Sequence, residues 1–293
     1  MKLIRPLLFC LTTLLILNLL LPETSAAQAA EGDLVRVETR DGNVLIGTLI
    51  RETDATILIR IEGLGEVTID RENLRSMRVI SPDRIQNGEY WFENPQSTRY
   101  FFAPNAMGIE KGKGYYQNVW IFFNNVNYGV SDNFSIGAGT VPVFLFGTFS
   151  IPVWILPKVS IPVSGDNVHL GVGGLLGGVI GEGAEGFGLL YGTVTVGNRD
   201  NNLTAGLGYG YAGREWSNTP LINLSGMYRT GRTIYLLGEL YVVPGVDGSG
   251  LAIGGIRWAP ERFAVDFGLA RPLSDAGGII GVPWLGLSIP FGN

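Results

Sequence analysis

Two residue types on which much enzyme chemistry depends are almost missing from this chain. Of its 293 residues one is cysteine, Cys10, and one is histidine, His169. A single thiol excludes an internal disulfide and a cysteine-based metal site. Cys10 also lies in an apolar leader directly after Phe9, a poor context for lipoprotein attachment. A single histidine leaves one candidate base for a serine-type hydrolase. No serine follows it at two residues, where Gly171 stands, and no Gly-x-Ser-x-Gly elbow occurs, so His169 reads as an ordinary residue beside the turn in SGDNVHL. Phosphate-binding Gly-Lys loops and nucleotide fingerprints are missing too, and the 43 glycines read as strand positions rather than cradles. The expectation is a protein without catalytic residues, cofactor or metal. Its net charge of -5 gives no reason to expect nucleic acid as a partner.

Long apolar runs are equally scarce. One occurs at the start, where Lys2 and Arg5 precede an apolar run over 7–21 and then the small residues Ser25, Ala26, Ala27 and Ala29. That is the pattern of a cleavable secretory signal over 1–29, and the run is shorter than the roughly 20 residues that span a bilayer as a helix. Beyond it nothing is long enough for a membrane helix, although 46% of the residues are hydrophobic. Spanning strands reconcile the two facts, because their apolar residues are interleaved with others.

Charge is scarce in one part only. Residues 31–90 hold 20 charged side chains in 60, whereas residues 91–293 hold 24 in 203, and glycine shows the opposite bias. The mature chain thus divides into a small module over 31–80, a linker over 81–96 and a glycine-rich remainder over 97–293. The module reads as five short strands, LVRVET, VLIGTLI, ATILIRI, EVTID and SMRVI, with Asp41-Gly42 as a strong hairpin signal. Through Asp41, Gly42 and the mid-strand Gly47 this segment resembles the Sm-like family, which implies a small Sm-like or SH3-like barrel. Members of that family often bind RNA. Here the lack of a basic cluster and the export signal favour a periplasmic spacer or protein-contact module. Tyr90, Trp91 and Phe92 read as packing residues of the linker, or as a contact at the membrane surface.

The remainder reads as an antiparallel, roughly twelve-stranded transmembrane β-barrel of the outer membrane, giving an all-β protein. Strands are expected over 98–107, 115–129, 133–144, 151–163, 168–179, 187–197, 202–212, 221–229, 233–243, 251–258, 263–271 and 279–291. In NLTAGLGYGYA the residues Leu203, Ala205, Leu207, Tyr209 and Tyr211 share one face, and Thr204, Gly206, Gly208 and Gly210 the other. The tight turns SDN, SGDN, NRDN, RTGR and APER fall on one rim together with both ends of the barrel, which reads as the periplasmic side. No connection is long enough to fold into the lumen as a plug. GVGGLLGGVIG has little polarity on either face and leaves a partly apolar lumen or a soluble core open. The last strand resembles the C-terminal signal by which outer-membrane barrels are recognised for assembly, carried by Gly286, Ile289 and Phe291, although Trp284 stands where a polar residue is usual. That resemblance implies the barrel-assembly machinery as a partner. The module-plus-barrel layout resembles families of uncharacterised bacterial envelope proteins, which brings no activity with it.

Alternation points Glu239, Arg257 and Asp266, on three consecutive strands, into the lumen. Lys158 joins them, and Asn223, Ser225 and Arg229 complete the candidate lining. A basic residue facing lipid at mid-membrane would cost about 2–4 kcal/mol, whereas one facing the lumen is tolerated. An ion-pair network bracing the wall and a polar constriction that selects solutes both fit this set. Three functions follow: a narrow pore or transport-related channel for small solutes, a non-enzymatic anchor presenting the module to a periplasmic protein partner, or a carrier of an apolar ligand such as lipid.

Overall fold

The computed structural model describes residues 29–86, 88–142, 151–165, 167–181, 185–245, 250–274 and 281–292. The signal-peptide reading and parts of the expected connections at 166, 182–184, 246–249 and 275–280 lie outside these residues. The described chain is β-structure with two short 3-10 turns. It divides into two compact units between Phe92 and Glu93.

In the first unit five strands form one antiparallel sheet. They are β1 (Leu34–Thr39), β2 (Val44–Glu52), β3 (Thr56–Ile61), β4 (Gly65–Asp70) and β5 (Leu74–Val79), in the order β4-β3-β2-β1-β5. Period-two alternation gathers Val35, Val37, Leu49, Ile57, Ile59 and Ile69 into its core. The β1–β2 turn places Gly42 at φ +90°, a conformation that glycine adopts without steric cost. The Thr39 hydroxyl donates to the Asp41 carboxylate there and holds it below its ordinary range. At Gly47 a Cβ would lie 2.5 Å from the Arg60 carbonyl oxygen, so the close passage of β2 over β3 admits no side chain at that position. Past β5 the expected linker is itself structured. A 3-10 turn at Pro82–Arg84 leads into a ribbon of Ile85–Gln86 against Glu89–Tyr90, and the Trp91 N–H donates to the Arg84 carbonyl at 2.7 Å.

The second unit is a closed antiparallel barrel. Its strands are β6 (Gly114–Val119), β7 (Phe123–Ser131), β8 (Phe134–Thr140), β9 (Ile151–Ile155), β10 (Lys158–Ser164), β11 (Val168–Ile180), β12 (Gly186–Gly197), β13 (Asn202–Ala212), β14 (Leu221–Arg229), β15 (Ile234–Val242), β16 (Gly250–Trp258), β17 (Ala264–Pro272) and β18 (Val282–Phe291). β9 and β10 are two halves of one wall strand: both pair with β8 on one side and β11 on the other. Pro157, which carries no N–H, falls in the break. Counted so, the wall has twelve positions, and β18 closes on β6 from Gly286↔Val119 to Phe291↔Gly114.

The number of strands agrees with the expectation, but two of its parts do not. Residues 98–107 form no wall strand; they carry a single isolated bridge, Arg99↔Pro104. The expected strand over 115–129 is instead a hairpin, β6 and β7, that turns at Trp120 (φ +51°) and Ile121 (φ +68°). One strand is lost and one gained, so the chain still begins and ends the wall at the same rim. We call this the lower rim, where Gly114 meets Phe291; Trp120 and Ile121 stand at the upper rim.

Candidate functional site: the barrel lumen

Alternation along the wall sorts the side chains by face. Outward stand Ile136, Val172, Val194, Leu203, Leu224, Ile256, Phe267 and Leu285, all exposed. Of the charged residues on the twelve wall strands, Lys158, Arg229, Glu239, Arg257 and Asp266 are buried, and Arg271 near the upper rim is exposed. Large exposed rings stand toward both ends, Tyr228, Trp258 and Phe291 at the lower and Tyr209 and Trp216 at the upper.

Inside the wall lies the segment 94–109, whose residues read from the sequence as the end of the linker and the first wall strand and instead fill the lower lumen. The plug comes from upstream of the first wall strand rather than from a connection between strands. Its residues fold as a hairpin: the Tyr100 N–H donates to the Ala103 carbonyl (3.0 Å) and the Asn105 N–H to the Thr98 carbonyl (3.1 Å). Tyr100, Phe101, Ala103, Asn105, Ala106 and Met107 are all at most 5% exposed. With Tyr235, Leu237, Ile253, Ala264, Ala270 and Trp284 of the wall, the hairpin builds a packed core. The Phe101 ring meets Trp284 edge-on at 5.7 Å, and Trp284 meets Trp120 at 4.7 Å. Trp284 of the last strand thus turns its indole into the filled lumen.

The charged wall residues hold this hairpin. Arg257, fully buried, forms a two-pronged pair with Asp266, Nε to Oδ1 at 2.6 Å and Nη2 to Oδ2 at 2.9 Å. Its Nη1 donates to the carbonyls of Gln96 (2.5 Å) and Arg99 (3.1 Å), and Nη2 to that of Tyr100 (2.8 Å). Glu239 does not join the pair. Its Oε1 accepts from the N–H groups of Phe102 and Ala103, both at 2.8 Å, and its Oε2 from the Tyr241 hydroxyl at 2.9 Å. Lys158 Nζ donates to the carbonyls of Met107 (2.6 Å) and Asn105 (3.2 Å). Wall residues that sequence reasoning passed over complete the set. The Thr195 hydroxyl accepts from the Ala106 N–H at 2.8 Å, and the Tyr100 hydroxyl bonds to Asn202 and Thr204. A backbone segment inside a barrel needs a partner for each buried N–H and C=O, and the inward polar residues supply them.

The other candidates lie apart from this clamp. Ser225 donates to Asn223 Oδ1 (3.0 Å), and Asn223 to the Leu240 carbonyl (3.2 Å). Arg229 braces the lower rim through Asp200 (3.0 Å) and the Gly231 and Arg232 carbonyls. Ile289 and Phe291 are exposed on the outer face. Gly286 pairs with Asp266 and Val119 on its two sides.

Above the hairpin the lumen changes character. A cavity of about 850 Å3 is bounded below by Arg99, Phe102, Ala103 and Pro104 and lined by Leu156, Leu175, Phe187, Leu189, Tyr191 and Leu221, with Phe122 and Phe123 toward the upper rim. It falls within the usual range for small-molecule sites, which are mostly apolar with a few placed polar groups. Down β12 the inward side chains run Phe187, Leu189, Tyr191, Thr193 and Thr195, from apolar near the upper rim to hydroxyl at the hairpin. The glycine- and leucine-rich strands β11 and β12 are those whose sequence left a partly apolar lumen open.

No protein-family model matches the chain, and no curated protein matches it. Among solved structures it is similar to a KdgM porin, with TM-score 0.45 and 6% identity over 62% of this chain and 99% of that one. It is also similar to the outer-membrane expressed OmpT of Vibrio cholerae, with TM-score 0.32 and 11% identity over 91% of this chain and 99% of that one.

Proposed function

We propose that this protein is an outer-membrane β-barrel whose lumen holds an apolar or amphiphilic ligand above a built-in plug. The membrane assignment is supported by the apolar outer face, by the burial of the wall charges away from it and by rings at both ends. The ligand reading is carried by one observation: the apolar cavity of about 850 Å3 that stops at the hairpin of 94–109. Purification from membranes followed by native mass spectrometry tests it. Bound single-chain lipid is expected on the wild-type protein and is lost when Leu175→Trp fills the cavity; a wild-type protein that carries no lipid and takes up none when it is added refutes the reading.

A solute channel is the second reading, favoured by the charged clamp in the lower lumen. A plug held by wall side chains is displaceable without unpairing the wall. Planar-bilayer current that appears when 94–109 is shortened, and is absent in the wild type, supports a gated channel. The polypeptide upstream of the plug, with its five-stranded sheet, reads as a periplasmic contact module. Gly286, Ile289 and Phe291 read as the signal presented to the assembly machinery.

A further inference from the structure

Among the described residues Arg99 is a buried lumen cation that neither the clamp nor an ion pair takes up. It sits in the hairpin, is 8% exposed, and forms part of the floor of the apolar cavity. Its Nε has no hydrogen-bond partner, and among the described residues no carboxylate pairs with it. The two buried wall carboxylates nearby are committed, Asp266 to Arg257 and Glu239 to Phe102, Ala103 and Tyr241. Lys158 is directed to the Asn105 and Met107 carbonyls. Among the described residues around the hairpin, three cations (Arg99, Lys158, Arg257) thus face two carboxylates (Glu239, Asp266), and the surplus positive charge lies where the cavity ends. A guanidinium held largely out of bulk water with a buried N–H left unpaired is costly, and an anion placed against it recovers that cost in charge-assisted bonds.

We propose that the cavity takes a single-chain amphiphile with an anionic head, carboxylate or phosphate, seated head-down on Arg99. Its chain then runs past Leu189 and Phe187 toward the upper rim. The cationic Arg99 in the floor and the apolar upper wall match such a molecule end for end, and Tyr191 and Tyr241 line the same cavity. This rests on the reading of the lumen as a ligand cavity, and the experiment separates the two.

The full-length protein is placed in phosphatidylcholine nanodiscs, with protein-free nanodiscs as the background. Labelled hexadecanoate, hexadecyl phosphate, hexadecanol and hexadecyltrimethylammonium then report retention of one chain with four heads. The anions are expected to be retained on the order of tenfold or more above the alcohol, the gain of a charged hydrogen bond, and the cation to be rejected. Arg99→Gln is expected to bring the anion-to-alcohol ratio close to one. A preference for the carboxylate marks a free fatty acid, and a preference for the phosphate a phospholipid-derived ligand; either supports the proposal. A wild-type ratio near one, an unchanged ratio in the variant, or a cation retained as well as hexadecanoate overturns it. The cation comparison needs no variant and stands even where Arg99→Gln fails to assemble. Retention of none of the four chains above background overturns the ligand-cavity reading itself.

Discussion

Replacing Arg257 by methionine removes a donor to three hairpin carbonyls and the partner of Asp266 in one step. Losing one member of a buried ion pair costs about 3–5 kcal/mol because the other charge is left uncompensated. The carbonyls of Gln96, Arg99 and Tyr100, served at 2.5–3.1 Å, each lose a charged donor, worth on the order of 1 kcal/mol or more apiece. The wall ladder is untouched, so the loss of roughly 6–8 kcal/mol falls on the docking of the hairpin. Release of 94–109 is therefore expected before unfolding of the barrel. Trypsin added to assembled protein in detergent, across a urea series, reads this as cleavage after Arg99, while the heat-shifted gel band reports the wall. Arg257→Met combined with Asp266→Leu removes both charges and is expected to restore part of the protection. A single variant whose hairpin is as protected as the wild type at every urea concentration refutes the assignment of Arg257 as the main clamp.

Other expectations follow from the same geometry. Ile121, β-branched and 76% exposed, holds φ +68°, so Ile121→Gly is expected to stabilise the β6–β7 turn by about 1 kcal/mol in urea unfolding. Glu239→Ala strands the Phe102 and Ala103 N–H groups and is expected to expose the hairpin by about 2–5 kcal/mol. Glu239→Gln keeps an acceptor and loses less, as hydrogen exchange of those two amides would record. At Gly139 a Cβ would lie 2.3 Å from Asn125 Oδ1 and 2.4 Å from Trp154 Nε1. Gly139→Ala is therefore expected to break the 2.6 Å Trp154–Asn125 bond and to shift the tryptophan emission. Ile59→Ala, in the core of the five-stranded sheet, is expected to cost about 2–5 kcal/mol and to lower the melting of that unit while the heat-shifted band of the barrel stays unchanged.

The two departures of the wall from expectation have physical causes. Residues 98–107, TRYFFAPNAM, combine apolar residues with polar ones at strand-like spacing, and a luminal hairpin and a wall strand bury such residues alike. Trp120-Ile121 turns without the glycine, asparagine or aspartate that such turns favour, because Trp120 is held from outside the hairpin: its Nε1 donates to the Pro283 carbonyl at 2.7 Å and its ring packs on Trp284. One signal was present in the sequence. A strand over 115–129 has fifteen residues, well above the 9–11 or so that a tilted transmembrane strand needs, and that excess marks a hidden turn. For the site, alternation was enough to direct Lys158, Glu239, Arg257 and Asp266 inward. What those side chains hold depends on partners more than a hundred residues away for Glu239 and Arg257, which no local pattern carries.

Period-two alternation, scarce charge and abundant glycine by themselves determined an all-β chain with a twelve-position antiparallel wall, charges turned inward and both wall ends at one rim. Those properties depend on the local period of the strand and on the parity of the strand count, which the exchange of one strand for another preserves. Only the tertiary structure decided that 94–109 fills the lower lumen, that Arg257 and Glu239 clamp it, and that an apolar cavity with Arg99 in its floor remains above. These follow from which chain segment satisfies the buried polar groups of a closed barrel, a question settled among residues distant in sequence.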